Sequence, residues 1–108
     1  MSPPHTDVDP VLHTFASTLR ARLGNHIRHI VLFGSRARGE AREDSDYDVL
    51  VIVDQRSPDV RSIILEIEAD LMDRYGALVA SILRTDAEWR VAQGLPLARN
   101  IALEGVPL

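Results

Sequence analysis

Two aspartates separated by one residue, Asp46 and Asp48, stand at the start of an apolar run that ends at Val53. Side chains two residues apart on a strand share a face, so both carboxylates should project toward one region while Tyr47 points away. Clustered carboxylates repel each other unless a cation holds them, and Mg²⁺ commonly uses one or two carboxylates together with water and substrate phosphate. The spacing therefore favours a Mg²⁺ site, with a polar turn of capping acids as the alternative for this pattern alone.

A second pair, Gly34-Ser35, ends an earlier apolar run and is followed by a basic stretch. A strand that ends in Gly-Ser and runs into a short helix presents backbone N–H groups and a hydroxyl in a manner suited to phosphate. The stretch lacks the G-K-[ST] of a Walker A loop and the spaced glycines of a dinucleotide fingerprint. Arginines at 36, 38 and 42 would suit a phosphate, and a solvated, charge-mixed helix is the alternative.

The elements that must position these residues alternate along the chain. Strands are predicted over 27–33, 46–53 and 77–83. Helices are predicted from Pro10, capped by Asp7 or Asp9, to Gly24; from Ser57-Pro58 to Gly76; from the capping box at 85–88 through Trp89; and from Pro96 to Gly105. This order predicts an α/β (α+β) fold, a small mixed β-sheet with helices packed on it. Residues 1–6 are predicted to be a disordered lead and residues 7–108 a single domain.

At this point the chain resembles a known family. The stretch GSRARGEAREDSDYDVLVIV, residues 34–53, looks like the signature of the minimal nucleotidyltransferases of the DNA polymerase beta superfamily, and PLARNIALEG is similar to the end of many such proteins. The resemblance implies the polymerase beta-like nucleotidyltransferase fold, with Asp46 and Asp48 as catalytic residues and Mg²⁺ ligands. It also implies nucleotide binding by Gly34 and Ser35, to which we add Arg36 and Ser45.

The same resemblance implies a partner. Many members of the family are encoded beside a HEPN ribonuclease toxin and act as its antitoxin, and one mode is transfer of AMP from ATP to a toxin tyrosine. Active members usually carry a third carboxylate on the next strand, where this chain offers only Ala80 and Ser81. Asp54 and Asp86 lie at other positions and do not replace it.

Two functions from different classes follow. The chain is predicted to be a Mg²⁺-dependent transferase that passes AMP from ATP to a toxin hydroxyl, and the small core leaves the acceptor to be presented by a partner. The alternative is an antitoxin that neutralises its partner by contact alone, through an apolar face such as Leu97, Ile101 and Leu103. Modification of a small molecule is a third, weaker hypothesis.

The composition of the chain argues against several other functions and kinds of site. The formal net charge of −4 argues against direct binding of nucleic acid through its phosphates, since that mode of binding needs a broad basic face. The chain has no cysteine, so no disulfide, thiolate metal site or cysteine nucleophile can be proposed, and His13, His26 and His29 show no metal-like clustering. Without a signal peptide or an apolar span, we expect a soluble cytoplasmic protein. Self-association or a hetero-oligomer is left open.

Overall fold

The computed structural model describes residues 9–42 and 45–108. The predicted lead and Asp7 lie outside the described residues, and Asp9 is the residue that caps the first helix. The helices are α1 (Pro10–Leu23), α2 (Ser35–Arg38), α3 (Pro58–Tyr75), α4 (Asp86–Val91) and α5 (Pro96–Glu104), with short 3-10 turns at Gly24–His26 and Ala92–Gly94. The strands are β1 (Ile27–Phe33), β2 (Tyr47–Val53), β3 (Val79–Thr85) and β4 (Val106–Pro107).

The four strands form one mixed sheet in the order β3-β2-β1-β4. β1 runs antiparallel to both β2 and β4, whereas β2 and β3 are parallel and are connected through α3. A parallel pair needs such a crossover, because its strands cannot be joined by a tight turn. The mixed sheet with packed helices confirms the predicted fold class.

β2 is covered on both faces, as its continuous apolar run predicts. Tyr47, Val49, Val51 and Val53 pack in the main core with α1 and α3. The opposite face carries Asp48, Leu50 and Ile52, and the two apolar residues pack in a smaller cluster with Ile101 and Trp89. The alternation therefore places Asp48 on the face that α1 and α3 do not cover.

Several predicted boundaries need correction. β2 begins at Tyr47 rather than Asp46, and β3 spans 79–85 rather than 77–83. β3 is shifted because its parallel pairing runs from Tyr47↔Val79 to Val53↔Thr85, and the carbonyl of Leu78 accepts the amide of Tyr47 just before this ladder. β4 was not predicted, since two residues carry no periodic signal and pairing with β1 alone defines them.

The prediction that Leu97, Ile101 and Leu103 form one exposed apolar face on the last helix is also wrong. Ile101 is buried, with only 6 % of its surface exposed, and packs with Leu50 and Ile52 in the smaller cluster. Leu97 and Leu103 are 41 % and 85 % exposed. α5 therefore turns Ile101 inward, and the three residues do not form one exposed patch.

Candidate functional site

Gly34 and the carboxylate of Asp48 are in direct contact. β1 ends at Phe33, which pairs with Asp48 across the antiparallel ladder, so the next residue of the chain passes beside that carboxylate. A β-carbon built on Gly34 would overlap Oδ2 of Asp48 and lie 3.2 Å from its Cγ. Gly34 has φ 79° and ψ −158°, a backbone region essentially restricted to glycine. Both space and conformation therefore require glycine here, and the two predicted motifs meet.

The two aspartates differ in environment. Asp46 is exposed, whereas Asp48 is half-buried near the start of β2, where it pairs with Phe33. Burial raises the pKa of the Asp48 carboxyl above its ordinary value, the neighbouring charge of Asp46 raises it further, and Arg38 opposes the change. The ionised pair is thus held together at a cost that a divalent cation would relieve. Two hard oxygen donors with partial exposure fit Mg²⁺ in this respect.

The position beside Asp48 on β3 is occupied by Ala80. The parallel register pairs Asp48 with Ala80 and Val49 with Ser81, so Ala80 shares the face of the acidic pair and Ser81 does not. The Ser81 hydroxyl donates to the carboxylate of Glu68 on α3, on the opposite face. Within residues 9–42 and 45–108, no group of three His, Cys, Asp or Glu side chains forms a candidate metal site.

Ser35 begins α2 directly after Gly34, as predicted. Its carbonyl accepts the amide of Glu40 at 2.9 Å, which closes the short helix, and Gly39 ends it in the left-handed conformation at φ 75°. The structure thus places Ser35 next to the acidic pair, and its contact with a nucleotide stays a prediction.

Arg36 contacts the loop that leads into β2. Its Nε and Nη2 donate to the carbonyl oxygen of Ser45 at 3.0 and 2.8 Å, and Nη2 also reaches the carbonyl of Arg42 at 3.4 Å. The guanidinium lies 3.8 Å from the centroid of the Tyr47 ring. Ser45 also accepts the amide of Arg42 through its hydroxyl at 2.8 Å. Arg36 and Ser45 therefore contact each other beside Asp46, and their predicted role toward a nucleotide stays a prediction.

Sequence reasoning missed the part played by Asp9 and Tyr47. Oδ1 of Asp9 caps α1 by accepting the amide of Val11 at 2.9 Å, while Oδ2 accepts the Tyr47 hydroxyl at 2.8 Å. Burial, followed by this hydrogen bond, raises the pKa of Tyr47 to about 12. The residues are 38 positions apart, so only the cap signal at Asp9 was visible in the sequence.

The remaining charged candidates are engaged elsewhere. Arg38 pairs with Glu40 and with Glu104 of α5, at 3.3 and 3.1 Å. At the other end of β2, Asp54 pairs with His26 at 2.9 Å, and this hydrogen bond holds its pKa below the ordinary value. Asp86 pairs with Arg28 at 3.2 Å. Neither Asp54 nor Asp86 therefore joins the acidic pair, as predicted.

Comparison with known proteins shows which proteins the chain resembles. A family model described as a nucleotidyltransferase domain matches residues 12–108. The chain is 37% identical over 81 residues to the protein adenylyltransferase MntA of Thermococcus cleftensis, covering 73% of this chain and 80% of that protein. It shares 29% identity with the solved structure of a candidate minimal nucleotidyltransferase, at a TM-score of 0.60, covering 97% of this chain and 99% of that one.

A further solved structure, of a toxin-antitoxin with AMP-PNP, is 21% identical at a TM-score of 0.59 and covers 86% of this chain and 68% of that chain. At this identity the likeness shows the fold. Among the described helices of the present chain, none has the length and apolar character needed to cross a membrane.

Proposed function

The chain belongs to the nucleotidyltransferase domain family, and from this premise we propose that it is an antitoxin that transfers AMP from ATP to a tyrosine hydroxyl of a HEPN ribonuclease toxin in the cytoplasm. The contact between Gly34 and Asp48 is the observation that carries the proposal. It brings a glycine that tolerates close approach of a phosphate next to two carboxylates that fit Mg²⁺. The named relative and the toxin-antitoxin with AMP-PNP support the choice of AMP and of a toxin as acceptor.

The reaction is a displacement at the α-phosphorus of ATP. The acceptor oxygen forms a bond to the α-phosphorus, the bond from that phosphorus to the bridging oxygen breaks, and pyrophosphate leaves. The proton of the acceptor hydroxyl passes to a base. Asp46 and Asp48 would hold Mg²⁺, whose positive charge would stabilise the phosphate oxygens during such a displacement.

The residues of this chain then have distinct tasks. Gly34 leaves room at the end of β1 for the triphosphate, and the hydroxyl and amide of Ser35 donate to it. Asp46 and Asp48 are the residues that would hold the metal. Because Ala80 stands beside Asp48 where another acid would be needed as base, the partner or solvent takes the acceptor proton.

Intact-mass spectrometry of the toxin tests the proposal. The proposed HEPN toxin partner, incubated with the protein, ATP and Mg²⁺, should gain the mass of one or more AMP units and lose its ribonuclease activity. Asp46→Asn/Asp48→Asn should abolish both changes, whereas Asp70→Asn, an exposed acid on α3, should leave them intact. Neutralised toxin of unchanged mass would contradict the transferase.

Ala80 favours one second candidate, a contact antitoxin that retains the fold without efficient chemistry. Such a protein neutralises the toxin without ATP and tolerates Asp46→Asn/Asp48→Asn. The same mixtures, prepared with and without ATP, separate the two functions because only the transferase depends on the nucleotide.

A further inference from the structure

We propose that Arg36 is a positioning residue, which clamps the start of β2 so that Asp46 and Asp48 are held ready for the metal, rather than a ligand of the phosphate. We call Arg36, Ser45, Tyr47 and Asp9 the Arg36 clamp. The clamp itself follows from the described contacts alone. Its effect on nucleotide binding rests on the proposed function.

The guanidinium of Arg36 is directed toward the backbone that precedes Asp46. Two of its nitrogens converge on the carbonyl oxygen of Ser45, the residue immediately before Asp46. A charged donor makes a stronger hydrogen bond to a carbonyl than a neutral one does. Because Arg36 belongs to α2, these bonds tie the helix that follows Gly34 directly to the backbone that precedes Asp46.

The ring of Tyr47 supports the guanidinium of Arg36. The 3.8 Å separation from the ring centroid is a close cation–π contact, and only 6 % of Tyr47 is exposed. Tyr47 lies between the two aspartates and points to the opposite face, where its hydroxyl is bonded to the α1 cap at Asp9. The same side chain that separates the two carboxylates therefore anchors their backbone to α1.

Asp46 needs such an anchor because it lies just before β2. Between α2 and β2 the structure describes residues 39–42 and 45–46, and none of these residues belongs to a helix or strand. Asp46 itself precedes the ladder and is exposed. Its position thus depends on the fixed carbonyl of Ser45 on one side and the buried Tyr47 on the other. A Lys at position 36 would keep the charge but lose the planar fork and stacking surface that both contacts use.

Amide hydrogen exchange of the nucleotide-free protein tests the clamp. The amide of Ser45 donates to the carbonyl of Arg42 at 3.0 Å, so its exchange reports opening of this segment. We expect Arg36→Ala and Arg36→Lys to accelerate its exchange at least about tenfold, as loss of a charge-assisted hydrogen bond predicts. The amide of Val51 in the core should not change, and neither should any amide near β2 in the control Arg61→Ala. Wild-type exchange at Ser45 in Arg36→Ala would overturn the proposal.

A double-mutant cycle on Mg²⁺-ATP affinity separates positioning from phosphate binding. We expect Arg36→Ala to weaken binding about tenfold in the wild-type background and less than about twofold in Asp46→Asn/Asp48→Asn, because the clamp acts through the carboxylates. A direct phosphate contact would lose the same factor in both backgrounds and would be partly rescued by Arg36→Lys, and that result overturns the clamp. If the wild-type protein binds no ATP, the proposed function fails, while the exchange of Ser45 still decides the clamp.

Discussion

Gly34 lies directly against the carboxylate of Asp48, because Phe33 at the end of β1 pairs with Asp48 near the start of β2. Two residues that are 14 positions apart in the sequence are thereby neighbours at the candidate site. The contact explains why a glycine with a rare backbone conformation ends the strand, since any side chain would displace an acid of the site.

Substitution of Gly34 should lower the free energy of unfolding by more than backbone strain alone would. Gly34→Ala forces a β-carbon into Oδ2 of Asp48, so we expect it to destabilise the fold by about 2–4 kcal/mol and to remove detectable ATP binding. Gly39→Ala is the matched control, because Gly39 also has positive φ but its β-carbon would meet no atom within 4 Å. It should cost about 1–2 kcal/mol and leave ATP binding intact. Denaturant unfolding and calorimetry give both quantities, and equal effects of the two substitutions would contradict the prediction.

The acidic pair should destabilise the metal-free protein at neutral pH. Since folding raises the pKa of Asp48 above its ordinary value of 3.8, the ionised carboxylate opposes folding, and this cost disappears as pH falls through the raised pKa toward 3.8. In EDTA at pH 7, Asp48→Asn should therefore unfold a few degrees above the wild type, and the difference should vanish below about pH 4. Mg²⁺ with ATP should stabilise the wild type more than it stabilises Asp48→Asn. Thermal unfolding across pH checks this, and a wild type more stable than Asp48→Asn in EDTA at pH 7 would refute it.

A carboxylate restored beside Asp48 should increase transfer. Ala80→Asp places an acid on the face of the metal pair, and a general base contributes at least about tenfold to such reactions. Ser81→Asp is the matched control: it adds the same charge one residue away, on the opposite face and next to Glu68, and should lower stability without a gain in rate. Initial rates of AMP addition to the toxin are the measurement, and equal rates for Ala80→Asp and the wild type would show that the missing acid does not limit the reaction.

Tyr47 should make the fold sensitive to alkaline pH. The folded protein raises its pKa from 10.0 to about 12, so stability is fully present below pH 10 and is lost as pH rises from about 10 to about 12. The chain contains no lysine, so few other side chains titrate in this interval. Unfolding of the wild type and of Tyr47→Phe should diverge above pH 10, with the wild type losing stability faster, and parallel curves would count against the buried hydroxyl.

The sequence by itself determined most of the elements and predicted the residues of the candidate site. Pro10, Ser57-Pro58, the Thr85 capping box and Gly76 mark helix ends through local capping chemistry, and the structure keeps each of them. The spacing of Asp46 and Asp48 also sufficed to predict that both acids share one face, because alternation along a strand is a local property. The acids and the Gly34-Ser35 pair were therefore visible before any contact was known.

Only the tertiary structure decided which residues meet. Antiparallel register brings Gly34 to Asp48, and parallel register puts Ala80 rather than Ser81 beside that acid. The direction of Arg36 toward Ser45, and the bond from Tyr47 to Asp9, depend on how α1, α2 and β2 pack against one another. Strand pairing and side-chain packing join residues distant in sequence, and such non-local contacts leave no periodic or capping signal in the chain.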